Sequence, residues 1–231
     1  MGALNGLHHL AISTGDMKTQ IAFFTDVLGM ELVGLYWMHG VEGAWHGFLR
    51  LNETSAVAFV YSDKIRDTAP QKNVTFAGNP GDPSAPGTLQ HLALNVDTMD
   101  ALMTMRDRIR SRGVPVFGPI HHGFCSSIYF AGPENLALEV ATSHKVEHPL
   151  DANTWIDPDV QALAGISDEE LAGYVAPSTY EGEGGSRPQP AYDPSKPHQH
   201  YPEAQYQMML QAPDEVITQM GSFPDPPAKP A

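Results

Sequence analysis

Apolar positions between residues 6 and 143 follow two rhythms, and the whole sequence of rhythms occurs twice. Residues 6–14, Gly-Leu-His-His-Leu-Ala-Ile-Ser-Thr, read as a short buried strand. Residues 16–28 change to a helical period, with Ile21, Phe24, Val27 and Leu28 on one face and Gly29 as the stop. Strand-like runs follow at 31–37, 44–51 and 55–61, the last two separated by a turn at Asn52 and Glu53. The pattern then returns. A strand at 88–96 precedes a helix at 98–112, which carries Leu102, Met105 and Ile109 on one face and ends at Gly113. Strands at 115–118, 126–130 and 136–141 complete it, with a turn at Gly132–Asn135. Residues 62–87, rich in Pro, Gly, Asp and Asn, join the halves. The expected fold is α+β: one domain over residues 1–145, built from two βαβββ modules at 6–62 and 88–143.

Residues 146–231 differ in character and form an extended Pro/Gly-rich C-terminal tail. Between 177 and 202 the glycines and prolines leave no apolar period, which excludes a regular helix or a central strand there. Short helices are expected at 157–165, at 167–174, where Ser167 and Glu170 have the spacing of a capping box, and at 214–220. Trp155 and the tail's tyrosines suit packing on the body or on a neighbouring subunit better than a solvated linker.

Charge narrows the function classes. The 231 residues carry 27 acidic against 13 basic side chains, a net charge of −14, with no cluster of Lys and Arg. A polyphosphate backbone would be repelled, so nucleic acid is excluded as a partner. No run approaches the length of a membrane span, and Met1 leads straight into the first strand pattern. The lone cysteine, Cys125, precludes an intramolecular disulfide and suits a reducing compartment. The expectation is a soluble, cytoplasmic protein.

The duplication supplies the candidate chemistry. When the two first strands are superposed, His9 falls on His91, 82 positions later, and Leu-Ala-aliphatic follows both. Equivalent strands related by pseudo-symmetry can aim the same side chain at one axis. Glu139 interrupts the apolar run Leu136-Ala-Leu-Glu-Val-Ala141, and a buried carboxylate requires a cation or hydrogen-bond donors. Two imidazoles and one carboxylate form the facial set associated with non-haem Fe(II), although a single strand histidine is more often an ordinary core residue. Mn(II) accepts the same ligand types. His8 competes with His9, and strand alternation places it on the opposite face.

The repeat, the helix ending Phe23-Phe-Thr-Asp-Val-Leu-Gly-Met30 and the run Pro133-Glu-Asn-Leu-Ala-Leu-Glu139 resemble the vicinal-oxygen-chelate superfamily of glyoxalases, resistance proteins and extradiol dioxygenases. Asn135 stands where that family's turn usually has glycine. The resemblance implies that the strands form a cupped sheet around a metal held by His9, His91 and Glu139, in a homo-oligomer. Relatives with a fourth protein ligand take it from the first module's last strand, where this chain offers Ala58, Val57 or Phe59, none able to ligate.

The last hairpin is similar to that of type I extradiol ring-cleaving dioxygenases. Tyr129, ten residues before Glu139, matches a pocket tyrosine, and either His121 or His122 matches a pocket histidine. That likeness implies Fe(II)- and O2-dependent cleavage of a small catechol- or hydroquinone-like ring. His122 or His121 would act as acid–base, and Tyr129 would orient the substrate. Trp37, Trp45, Phe48, Phe124 and Phe130 could line a ring pocket or simply fill the core, and His39 and His46 could support the site or lie in loops. The same ligand set also serves metal-dependent lyases, isomerases and resistance transferases. A phosphonate-binding transferase would crowd basic residues around its site, whereas here they fall on expected helix surfaces and in the linker. A non-enzymatic small-molecule binder would not need the three ligands at all.

Overall fold

Each expected module closes as a four-stranded sheet in the computed structural model, which describes residues 4–224 and 226. The first contains β1 (His9–Ser13), α1 (Met17–Ala22), β2 (Glu31–Trp37), β3 (Trp45–Arg50) and β4 (Ala56–Tyr61). The second contains β5 (Leu92–Asn95), α3 (Met99–Ser111), β6 (Phe117–His121), β7 (Ser126–Ala131) and β8 (Ala137–Thr142). Strand orders are β1-β4-β3-β2 and β5-β8-β7-β6, the same topology twice. In each module the first and last strands pair in parallel and the rest antiparallel. A short helix α2 (Asp63–Arg66), capped by the Ser62 side chain, opens the linker.

Periodicity explains which face of each sheet is covered. Leu49, Val57 and Phe59 are buried beneath Phe24, whose ring meets Phe59 edge-on at 4.9 Å. In the second module Ile128, Leu138 and Val140 are buried with Leu102 and Ile109 of α3. These residues of both modules belong to one continuous apolar core. Burying each of the larger side chains contributes on the order of 1.5–3 kcal/mol. The opposite face of each sheet is left to carry the polar residues.

Three local departures have physical causes. The helix expected over 16–28 is α-helical only to Ala22. From Phe23 to Val27 it widens to a π-turn, in which the Leu28 N–H donates to the Phe23 carbonyl at 3.3 Å. Its last carbonyls are met from the other module, where Arg108 donates to Val27 and Asp26, each at 2.9 Å. The strand expected at 115–118 instead runs from Phe117 to His121. Pro119 is tolerated there because β6 is an edge strand with a register shift between Phe117 and Ile120.

The turn before β8 keeps its special backbone without glycine. Asn135 has φ 65° and Glu134 has φ 54°, a conformation that costs a side-chain-bearing residue free energy. Hydrogen bonds from the other module hold it. The Glu134 carboxylate accepts from the Thr14 hydroxyl at 2.5 Å, the Gly15 N–H at 2.7 Å and the Gln20 side-chain amide at 2.9 Å. Thr14 and Gln20 are buried, so Glu134→Ala strands their donors. The expected loss is about 2–3 kcal/mol, read as a lower urea midpoint with an unchanged slope.

The described chain divides into two compact units. One is Asn5–Val175, which extends past the modules to include α4 (Ala152–Trp155), α5 (Pro158–Leu163) and α6 (Asp168–Val175). The expected capping box is present at α6: the Ser167 N–H and hydroxyl each reach Glu170 at 2.8 Å, and the Glu170 N–H returns to Ser167 at 3.2 Å. The second unit, from Ala176 onward with Leu4 at the other terminus, has no helix or strand over 176–202 and then contains α7 (Glu203–Gln211) and α8 (Asp214–Gly221). The sequence pattern had not indicated α2, α4 or α7. No helix among the described residues is long and apolar enough to cross a membrane.

Candidate metal and substrate site

Strand register sorts the candidate residues by face. Ala93 of β5 pairs with Glu139 of β8, and Glu139 pairs with Tyr129 of β7. Directly opposed residues share a face, so Glu139 and Tyr129 stand together on the side away from the core. His91, two residues before Ala93, precedes the strand and reaches the same place. Its Nε2 lies 3.2 Å from Glu139 Oε2. The carboxylate belongs to a residue only 6% exposed.

Gln90 supplies a support that the sequence pattern did not disclose. Its side-chain oxygen meets His91 Nδ1, while its amide nitrogen donates to the Pro80 carbonyl at 2.8 Å. Fixed in that sense, Gln90 accepts a hydrogen bond from His91 Nδ1–H and turns Nε2 toward Glu139. An imidazole oriented this way through its second nitrogen is the usual preparation of a metal ligand. The signal in sequence was only a polar residue beside a candidate histidine.

Tyr129 connects this pair to the hairpin between β6 and β7. Burial, followed by smaller effects that include the neighbouring Glu139 carboxylate, raises its phenol above the ordinary tyrosine value, against an opposing hydrogen bond from Ser127. The hydroxyl therefore stays protonated at neutral pH. His122 Nε2 lies 2.8 Å from that hydroxyl. His121 turns elsewhere, with Nδ1 2.7 Å from the Ser126 hydroxyl. Of the two histidines left open by the sequence, His122 is the one that meets Tyr129.

The first module presents a matching face without the carboxylate. Ala11 pairs with Ala58, and Ala58 with Phe48, in the registers that elsewhere join Ala93, Glu139 and Tyr129. Ala58 thus occupies the place of Glu139, and a fourth protein ligand is missing there. His9 stands beside Phe48 with ring centroids 5.8 Å apart. Because β1 begins at His9, alternation does not govern His8. It folds alongside instead of onto the opposite face, with the two Nδ1 atoms 2.9 Å apart. His46 lies on the same face, with its ring 4.7 Å from Tyr36 and 5.1 Å from Phe48. Burial first, then His39 and His9, lowers its pKa.

Of the aromatic residues considered for a ring pocket, only Phe48 adjoins a candidate ligand. Trp45 packs against the core and Phe130 is buried in it, Trp37 is exposed, and Phe124 meets Trp155. Among the described residues no three His, Cys, Asp or Glu side chains are gathered into a group able to hold a metal ion. Within one chain the candidates form two half-sites, His91–Glu139 with Tyr129 and His122 on one sheet, and His9 with its aromatic neighbours on the other.

A family model described as the Glyoxalase/Bleomycin resistance protein/Dioxygenase superfamily matches residues 6–140. Among solved structures, the chain is similar to a glyoxylase/bleomycin resistance protein/dioxygenase domain from Frankia sp. EAN1pec, at 16% identity and a TM-score of 0.48 over 62% of this chain and 100% of that one. It is also similar to TnmS3, an antibiotic binding protein from Streptomyces sp. CB03234, at 17% identity and a TM-score of 0.44 over 62% and 99% of the two chains. A third is a lactoylglutathione lyase from Agrobacterium tumefaciens, at 18% identity and a TM-score of 0.43 over 61% and 96%. No curated protein matches the chain.

Proposed function

The chain belongs to the glyoxalase/bleomycin resistance protein/dioxygenase superfamily, and within it we propose a non-haem Fe(II) dioxygenase that opens a catechol- or hydroquinone-like ring with O2. The observation that carries this reading is the contact series His122–Tyr129–Glu139–His91 on the open face of the second sheet. A buried carboxylate facing an imidazole nitrogen fits a divalent cation, which would neutralise it. His9 would complete the set from a second copy of the chain, since no three metal-ligating side chains gather among the described residues of one chain. With no fourth ligand at Ala58, the set leaves room for both a chelating substrate and a small second reactant, which favours oxygen chemistry over lyase chemistry at a filled sphere.

Bound there, the cation supplies acidity to a coordinated substrate hydroxyl and a meeting point for the two reactants. The protein does the rest. His122 takes the proton released by the substrate hydroxyl and returns it when the ring opens. Tyr129, kept protonated by its burial, donates a hydrogen bond to a substrate oxygen and fixes the ring's angle. Gln90 holds His91 in the tautomer that offers Nε2. The product class is a ring-opened, oxidised acid.

The test is metal analysis of the purified protein, followed by oxygen uptake with the iron-loaded form against a panel of catechols and hydroquinones. Stoichiometric uptake with loss of the aromatic absorbance is expected. Metal binding without uptake, accompanied by lyase or transferase turnover, would replace the proposal. Tight ligand binding by metal-free protein would point instead to sequestration.

A further inference from the structure

We propose that Trp155, outside both modules, is a positioning residue that holds His122 against Tyr129. The inference rests on the role given to His122 above. The loop between β6 and β7 consists of His122, Gly123, Phe124 and Cys125, closed by a 2.8 Å hydrogen bond from the His122 N–H to the Cys125 carbonyl. Such a short hairpin end, on an edge strand with a register shift, has little of its own to fix a side chain.

Trp155 supplies what the loop lacks. Its ring lies against Gly123, where a β-carbon would come within 2.8 Å of the indole, and Gly123 has φ +85°. Phe124 meets the same ring edge-on at 5.3 Å. The indole N–H is shared between the carbonyls of His148 and Pro149, at 3.2 and 3.1 Å. Asp151 caps the single helical turn that presents the ring, accepting from Asn153 and Thr154 at 2.9 and 3.1 Å. The segment 148–155 is thus a self-braced hook, and its tip presses on the residue next to His122. With the ring against its glycine and its phenylalanine, the loop holds His122 Nε2 2.8 Å from the Tyr129 hydroxyl.

Histidine ring nitrogens resolved by 15N NMR give a readout that needs no turnover. Tyr129→Phe marks the resonance of a His122 that has lost its partner. Trp155→Ala is expected to move the His122 Nε2 signal toward that position, and Trp155→Phe to restore it. In the iron-loaded protein Trp155→Ala should lower kcat roughly ten- to hundred-fold with KM little changed, as expected from a small misplacement of a reacting group. Asp151→Ala, which uncaps the turn that presents the ring and leaves the His122 loop unaltered, should move the signal the same way if Trp155→Ala fails to fold. A His122 signal in Trp155→Ala, or in Asp151→Ala where Trp155→Ala does not fold, identical to that of the unaltered protein overturns the proposal. If the unaltered protein consumes no oxygen while the His122 signal still follows Trp155, the dioxygenase reading fails and the positioning role stands.

Discussion

Glu139→Gln protein is expected to purify without iron and to consume no oxygen with any ring substrate. The substitution conserves volume and removes only the charge. Loss of partners that merely support a ligand weakens metal binding by roughly 10–100-fold, and loss of the sole anionic ligand should exceed that. The metal-free protein should be as stable as before, or more so, because a carboxylate 6% exposed is replaced by a neutral amide. Thermal melts separate these effects. Metal at a thousand times its dissociation constant should stabilise the unaltered protein by about 4 kcal/mol and leave Glu139→Gln unmoved. Undiminished iron and turnover in Glu139→Gln would remove the carboxylate from the scheme.

The metal requirement and the proton chemistry can be pulled apart along the same contact series. His122 touches Tyr129 and none of the candidate ligands, so its removal should spare metal binding. Glu139 touches His91, so its removal should not. The hydroxyl of Tyr129 stands between the two roles, which explains why a half-buried phenol on an otherwise open face has both an imidazole and a carboxylate for neighbours.

What could be read in advance follows from the range of each physical signal. Burial alternation is local, so β1, β4, β5 and β8 and the buried Glu139 were legible, whereas only the strand registers single out Ala58 from Val57 and Phe59 as the counterpart of Glu139. The choice between His121 and His122 was not. It depends on where β6 ends, and β6 ends at His121, three residues beyond the strand expected over 115–118. The π-turn at Phe23–Val27 was equally hidden, because its apolar face satisfies a helical period whichever hydrogen-bond spacing is used. Trp155 was legible only as a large apolar residue in an otherwise polar tail. Its target is a glycine more than thirty positions earlier. How the modules face each other lies beyond periodicity altogether. The pattern shows that each sheet has one covered face, whereas the structure shows that buried residues of both modules contribute to one continuous core.

The proposed sharing of His9 between copies makes a second large effect predictable. Among the described residues of one chain no three metal-ligating side chains gather, so the proposed metal set needs a second copy to complete it. His9 of one chain then serves the His91–Glu139 pair of the next. A two-fold arrangement has two such sites, each taking residues from both chains. His9→Ala and Glu139→Gln proteins should each be inactive alone and hold no iron. Co-expressed in equal amounts, they should form hybrids in half of the dimers. Each hybrid combines one site bearing both defects with one bearing neither, so the mixture should recover about a quarter of the normal iron content and oxygen uptake. A site contained within one chain gives a different result, because every chain in every hybrid keeps its own defect. No recovery in the co-expressed pair, with hybrid dimers verified by two affinity tags, would place His9 on its own chain's metal or outside the site.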